Sequence, residues 1–454
     1  MSDLLPSNGV SAKPKSWVNG YFDQRSVDPA ALPAVMWKHI YTGVMGSVYG
    51  QLIGGLFFTY LWVTLGLTPA QVQVWVGISS FLVVAQLVSA IMAQRTGRRK
   101  FLWWVFILLS RGLRLAGIMV ALWLWHTQSA YTGLFLIAAL CFADLLGQMA
   151  GPPWLSWLAD IIPDGQHGAF WGRRSFWISV SVIAVTVPSG FLVDRIPAAH
   201  KLQAVVVIFV AATVIGLLDI LIHGTIPEPA PKMAKPSHFV VELLTPVRDG
   251  GFRPWLIFYM CWGFAMYFGG VGSNIFVLTD LGLKSNMFLG VIAVTVVPLI
   301  GGMFTSAWSG RLVDRLGPKR VLRWAHVFWS FWPAFWIFAK PTPASAFLWV
   351  ALGSLVGGTA SIAGDTAANK LVTRFPPAAQ RAVYVAVSGC LASMAGGLGS
   401  FTAAGLHHAI GKHVVILHGW TFGAFHAQFA LSVVMRLACV VLLLNAIRDP
   451  GEQK

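Results

Sequence analysis

Apolar runs of about twenty residues alternate along the chain with short segments rich in Gly, Pro or charge. Runs of that length suit a helix crossing the hydrocarbon core of a bilayer at 1.5 Å per residue. Twelve spans are predicted: 38–64, 72–94, 101–125, 131–157, 174–194, 202–223, 253–279, 286–310, 321–339, 344–369, 381–405 and 423–446. The longest internal polar segment, 224–252, carries Pro227, Pro229, Pro231 and Pro236. Proline lacks the backbone donor a helix needs, so an extended linker is predicted there. A short surface helix is predicted within it, from His238 to Val247. The resulting plan is a tail (1–37), a six-helix bundle (38–223), a linker (224–252), a second six-helix bundle (253–446) and a short tail (447–454).

Composition sharpens this picture. Apolar residues make up 56% of the chain and charged residues 11%, against about 25% charged in an ordinary soluble protein. So few charges cannot coat a soluble protein of 454 residues, so the fold expected is all-α and membrane-embedded. The net charge of +16 suggests nucleic acid until the positions of the charges are read. Of the 32 Lys and Arg, 24 lie in the tails and in the loops after spans 2, 4, 6, 8 and 10, and five lie in the opposite loops. That is the positive-inside pattern, and it places both termini in the cytoplasm with no nucleic-acid partner. The opening residues lack an apolar core, so no cleaved signal peptide is expected. Cys141, Cys261, Cys390 and Cys439 sit in apolar runs without metal spacing. His407, His408, His413 and His418 flank the last external loop without a complete ligand set. No metal and no cofactor is expected.

The two halves echo each other. After the second span comes Ala90-Ile-Met-Ala-Gln94-Arg95-Thr-Gly97-Arg98-Arg99-Lys100. After the eighth comes Gly310-Arg-Leu-Val-Asp314-Arg315-Leu-Gly317-Pro-Lys319-Arg320. A weaker echo follows spans 4 and 10, at Pro163 and Pro376. Repeated halves are a mark of secondary transporters. The motif resembles the signature of the major facilitator superfamily, Gly-x-x-x-Asp-Arg-x-Gly-Arg/Lys-Arg. The second copy matches at Gly310, Asp314, Arg315, Gly317, Lys319 and Arg320. The first matches at Arg95, Gly97, Arg98 and Arg99, with Ala90 for the glycine and Gln94 for the aspartate. The resemblance implies twelve spans in two pseudo-symmetric bundles and a cytoplasmic gate at both signatures. Asp314 is expected to accept from an opposing helix N-terminus, where free N–H groups favour a negative charge. Gln94, uncharged, makes the first lock the weaker one.

Ionisable groups inside a span are costly and usually have a partner or a function. Five stand out: Arg111, Arg114, Asp144, Asp365 and Arg436. Counting 1.5 Å per residue from the span ends brings Arg111 and Asp144 to similar depth on neighbouring helices, so they are predicted to pair. Gln148 shares a helix face with Asp144. Gly-rich breaks fall in spans 1 and 7, beside Gln51 and Asn274. A polar stretch in span 10 holds Asp365, Thr366 and Asn369. The family resemblance implies that spans 1, 4, 7 and 10 line the cavity. Gln51, Asp144, Gln148, Asn274, Asp365, Thr366 and Asn369 are therefore the expected solute-binding residues. Asp365, ahead of Asp144, is the expected coupling site for H+ or Na+, since a desolvated carboxylate loads a proton readily. Trp329, Trp332 and Trp336 share a face in span 9 and are read as lipid-facing.

The function expected is secondary active transport of a small solute by a monomer in a bacterial inner membrane. Proton- or cation-coupled uptake of a sugar or organic acid leads. An efflux antiporter or facilitator is the alternative, followed by a membrane sensor or enzyme. No catalytic constellation such as His-Glu-x-x-His appears, so catalysis is not expected.

Overall fold

The computed structural model describes residues 22–230, 239–377, 380–417 and 420–450. Within them, eleven helices are long and apolar enough to cross a membrane. These are α1 (Pro29–Thr64), α2 (Pro69–Thr96), α3 (Arg99–His126), α4 (Thr132–Ile161), α5 (His167–Arg195) and α6 (Ala198–His223) in the first half. The second half holds α7 (Arg253–Leu278), α8 (Met287–Ser306, running on as helix to Leu316), α10 (Pro343–Val372), α11 (Val383–Ile410) and α12 (Ala424–Ala446). The place of the predicted ninth span is filled by two shorter helices, Pro318–Ser330 and Trp332–Ile337, together α9. Lys319, Arg320 and Arg323 make its first part too polar to pass as a span alone. Pro333 breaks it, because proline has no N–H to bond the carbonyl of Trp329 one turn back. Its twenty residues still reach about 30 Å.

Local chemistry sets the ends. Thr68 and Gln71 form a capping box ahead of Pro69 and start α2. Gly97 ends it with φ +63°, and Gly317, at φ +82°, turns the chain from α8 into α9. The Gly-rich breaks fall as read from the sequence. α1 is interrupted at Gly55, between Gly54 and Leu56, and α7 at Val271–Gly272. Gly272 has φ +80°. Carbonyls freed by that second break are taken up by Gln428 of α12, which donates to Phe268 and, at 3.2 Å, to Val271. α4 runs past Pro152 and Pro153 to Ile161, one turn beyond the predicted end. A short helix at Phe239–Arg248 falls where the linker helix was expected. Parts of the predicted tails and linker (1–21, 231–238 and 451–454) and His418 lie outside the described residues. The last loop holds a two-stranded antiparallel ribbon, β1 (Val415–Leu417) and β2 (Trp420–Phe422), which the sequence reading lacked.

The buried core shows how the halves meet. The end of the molecule that holds residues 22–31 and 447–450 is here the tail face, and the other the far face. Towards the far face a single apolar cluster joins Leu52, Phe57, Trp62 and Phe209 of the first half to Phe276, Met287 and Phe429 of the second. Towards the tail face the core is split. Trp255, Phe258, Leu322 and Tyr384 belong to one cluster within the second half. Trp103, Trp157 and Ile220, and separately Ile40, Leu158 and Phe170, belong to the first. Among the described residues, the buried apolar core is thus shared by the two halves at the far face and divided between them at the tail face.

Candidate functional site

The first half carries two ion pairs inside the membrane, and they are not the predicted one. Arg111 pairs with Asp219 of α6 at 2.6 Å, both nearly buried, and its guanidinium lies 4.8 Å from the Tyr49 ring. Asp144 pairs with Arg114. It also accepts from Ser79 Oγ at 2.5 Å and from the Trp75 indole N–H at 2.9 Å. The reason lies in the α3–α4 hairpin. With α3 ending at His126 and α4 starting at Thr132, Arg114 and Asp144 each stand twelve residues from the turn. That puts both about 18 Å deep, whereas Arg111 lies nearly a turn deeper. Asp219 was missed although it lies within the predicted sixth span. Arg111 and Arg114, one turn apart on one face, call for two acids, and Asp144 supplies only one.

At the tail face the first signature forms a knot within its own half. Arg99, 3% exposed, donates to Asp160 at 2.5 Å, to Ser156 O at 3.1 Å and to Pro229 O at 2.8 Å. Its backbone N–H donates to Glu228 Oε1 at 2.8 Å. Burial pushes the Glu228 carboxyl above its ordinary value, against the pull of the Arg99 and Lys100 N–H groups and the Arg99 guanidinium. Gln94, Arg95 and Arg98 are exposed, and the Gly97 carbonyl accepts from Gln24 at 2.7 Å. In the second signature Gly310, Arg315 and Arg320 are exposed, Lys319 is half-buried, and Gly317 holds the turn. Asp314 does not cap a helix of the opposite half. It is ion-paired with Lys370 of α10, in its own half, with 69% of its side chain exposed.

The hydrogen bonds that cross between the halves lie from mid-bundle to the far face. Gln51 donates to Thr295 Oγ1 at 3.2 Å. Gln73 donates to Gln428 at 3.3 Å, Ser400 to Gln73 O at 2.7 Å, and Ser393 to Ser80 O at 3.1 Å. Among them lies a cavity of about 210 Å³ between α1, α2 and α7. Phe58, Trp62 and Trp75 form its aromatic wall and Thr59, Ser273 and Asn274 its polar edge. Trp75 and Trp62 stack at 5.8 Å. Since Trp75 is also the residue held by Asp144, the ion pair and the cavity share a wall. A larger cavity, about 510 Å³, lies at the tail face between the start of α1 and α5 and is lined by no carboxylate.

The other candidates are scattered around this centre. Gln148 accepts from Gln86 at 2.6 Å, a bond between α4 and α2. Thr366 meets Ser309 at 3.3 Å. Asp365 and Asn369 are exposed, near the tail end of α10, and Asp365 is within electrostatic reach of Tyr259. Arg436 is fully buried, held by the carbonyls of Trp329 at 3.3 Å and Met266 at 3.4 Å and lying 5.2 Å from the Trp332 ring. The tryptophans of α9 turn inward and not to lipid: Trp336 is 2% exposed, Trp332 meets Arg436, and Trp329 packs on Trp262 at 5.5 Å. His407 bonds Gln428 at 2.6 Å, and no group of three or more metal-ligating side chains is found among the described residues.

The sequence model of the Major Facilitator Superfamily matches residues 40–404. Among solved structures, the nucleoside transporter NupG aligns at 13% identity, covering 92% of this chain and 98% of that one, with a TM-score of 0.63. A bacterial homologue of the human lysosomal transporter Spinster, inward-facing and unoccupied, aligns at 15% identity over 94% and 99%, with a TM-score of 0.66. A POT family transporter in complex with a thioalcohol-conjugated peptide aligns at 12% identity over 93% and 98%, with a TM-score of 0.60. No curated protein matches the sequence.

Proposed function

Since this chain belongs to the Major Facilitator Superfamily, we propose that it carries a small polar solute through the cleft between its halves by alternating access. The observation behind this reading is the core itself, fused across the halves at the far face and parted at the tail face. A rocking motion that exchanges the two arrangements exposes the space between the halves, and the cavity near its far end, to each side in turn. We read the tail face as cytoplasmic from the Lys and Arg bias, so this form opens inward, in a bacterial inner membrane, as a monomer.

The solute site in this reading is the aromatic-walled cavity with Asn274, Ser273 and Thr59 at its edge; Gln51 is bonded to Thr295 across the halves instead. A ring-shaped solute gains from packing against the half-buried Trp75, which Trp62 backs; this suits a sugar, and the polar edge supplies its hydrogen bonds. Asp144 is preferred over Asp365 as the coupling carboxylate. A proton or cation arriving at Asp144 weakens its hold on Arg114 and on the Trp75 N–H together, and so alters the cavity wall. Asp365, near the tail end of α10, has no comparable link to the cavity.

The test is flux into proteoliposomes from a panel of sugars, nucleosides and organic acids, with and without a pH or Na+ gradient. Gradient-driven accumulation of one class, abolished by Asp144→Asn and retained in Asp365→Asn, is the expected result. Accumulation unaffected by Asp144→Asn refutes the coupling assignment. Flux that only equilibrates makes the protein a facilitator.

A further inference from the structure

The hexapeptide of the second signature, Gly310-Arg-Leu-Val-Asp314-Arg315, occurs once more, as Gly190-Phe-Leu-Val-Asp194-Arg195. The two copies differ at one position of six, yet they lie at opposite faces. Gly310 to Arg315 ends α8 at the tail face, and Gly190 to Arg195 ends α5 at the far face. Their aspartates are also in opposite conditions. Asp314 is exposed and paired within its own half. Asp194 reaches across to the other half and accepts from the backbone N–H groups of Met287 and Phe288, each at 2.8 Å. Those are the first free donors of the long α8 helix, where a negative charge is favoured by both the unpaired N–H groups and the helix dipole.

The surroundings fit this contact. A side chain at Gly190 would bring a Cβ within 3.3 Å of Phe288 Cα and 3.5 Å of the Met287 carbonyl, so the glycine lets α5 and α8 approach. Phe191 meets Phe288 edge-on at 6.0 Å, Arg195 covers the Phe191 ring at 4.6 Å, and Lys201 flanks the carboxylate at 3.6 Å.

We propose that Gly190–Arg195 repeats the first six positions of the signature, without its Gly and basic pair, and works as a far-face latch in which Asp194 positions α8 against α5 and holds the tail-open form. This rests on the alternating-access reading above. When the far face opens, α5 and α8 part and these two charge-assisted hydrogen bonds are given up.

The test places a reporter thiol in the cavity, Asn274→Cys, in the full chain reconstituted in oriented vesicles. Labelling by a membrane-impermeant maleimide is counted above that of the four native cysteines. With Asp194 intact, labelling is expected mainly from the tail face. Asp194→Ala is expected to raise the far-face rate about tenfold, the effect of losing charge-assisted bonds, and Asp194→Asn less. Asp314→Asn is expected to leave the far-face rate unchanged. A far-face rate unaltered in both Asp194 variants, with tail-face labelling intact, overturns the latch and leaves alternating access standing. A thiol that labels from neither face, in any variant, overturns both. If Asp194→Ala does not fold, Asp194→Asn decides alone, with a twofold rise as the threshold.

Discussion

The two arginines of α3 answer to different acids, and double-mutant cycles can read that pairing. Arg111 and Asp219 are 2.6 Å apart with side chains 8% and 5% exposed, and the Arg114 and Asp144 side chains are each 15% exposed. At these exposures solvent screening is small. Charge centres about 4 Å apart attract by about 4 kcal/mol at an effective dielectric of about 20. Removing one partner leaves a charge stranded in the bundle and costs about 3–5 kcal/mol. Arg111→Gln and Asp219→Asn should therefore each be severe, while the double variant costs less than their sum by about 2–3 kcal/mol. For Arg114→Gln and Asp144→Asn the coupling should be smaller, about 1–2 kcal/mol, because Ser79 and Trp75 still compensate the site. Arg111→Gln with Asp144→Asn should be additive to within about 0.5 kcal/mol. Equilibrium unfolding in mixed micelles measures all three cycles. A cycle for Arg111 with Asp144 larger than that for Arg111 with Asp219 would refute the hairpin-register argument.

Two further perturbations probe the tail-face knot and the break in α7. Burial raises the Glu228 carboxyl from its ordinary value of 4.5. Its proton-linked contribution to stability is therefore full below that value and lost as pH rises through the folded-state value. The melting-temperature advantage of the parent over Glu228→Gln should shrink as pH rises from 4 to 7. An advantage that grows instead means Arg99 holds the group ionised and the burial argument fails. Gly272→Ala, at φ +80°, should cost about 1–2 kcal/mol. Gly50→Ala, inside helix with open space around it, should be neutral or stabilising by up to about 1 kcal/mol. Melting curves showing equal effects at both glycines contradict the claim that α7 needs a left-handed residue there.

The spans were legible because hydrocarbon thickness fixes their length, and the repeat was legible because a charged turn is conspicuous between apolar runs. The breaks beside Gln51 and Asn274 were legible as glycine clusters, although several of those glycines serve close packing, as Gly43 does against Arg174 and Gly269 against Ser432. Pairing was less so, since it depends on where each helix starts. Ending α3 at His126 and starting α4 at Thr132, each one residue later than read from the sequence, sets Asp144 level with Arg114 and not with Arg111. The role given to Asp314 was displaced for a different reason. The contact chemistry argued for it occurs at Asp194 instead, which accepts from the first N–H groups of α8, while Asp314 is paired with Lys370 of its own half. The inward turn of Trp329, Trp332 and Trp336 was illegible because a tryptophan stripe suits lipid equally well, and only the neighbouring Arg436 distinguishes the two.

That arginine also shows where the two halves stop being copies. Asp219 and Arg436 occupy matching places, each on the last helix of its half and each facing the first and third. Asp219 approaches Gly46 of α1 and binds Arg111 of α3. Arg436 bonds Met266 of α7 and Trp329 of α9. The first half thus fills the position with an ion pair. The second fills it with a buried guanidinium that has two carbonyls, an indole face and, among the described residues, no carboxylate within ion-pair distance. A balanced pair fixes helix packing at little net charge, whereas a lone buried cation needs its carbonyls and ring to stay where they are. The Met266 carbonyl lies just before the break in α7, so Arg436 ties that break to α9 and α12. The matching break of α1 at Gly55 is tied differently: Gln51, one turn before it, donates across the halves to Thr295 at 3.2 Å, whereas Arg436 ties the break of α7 within its own half.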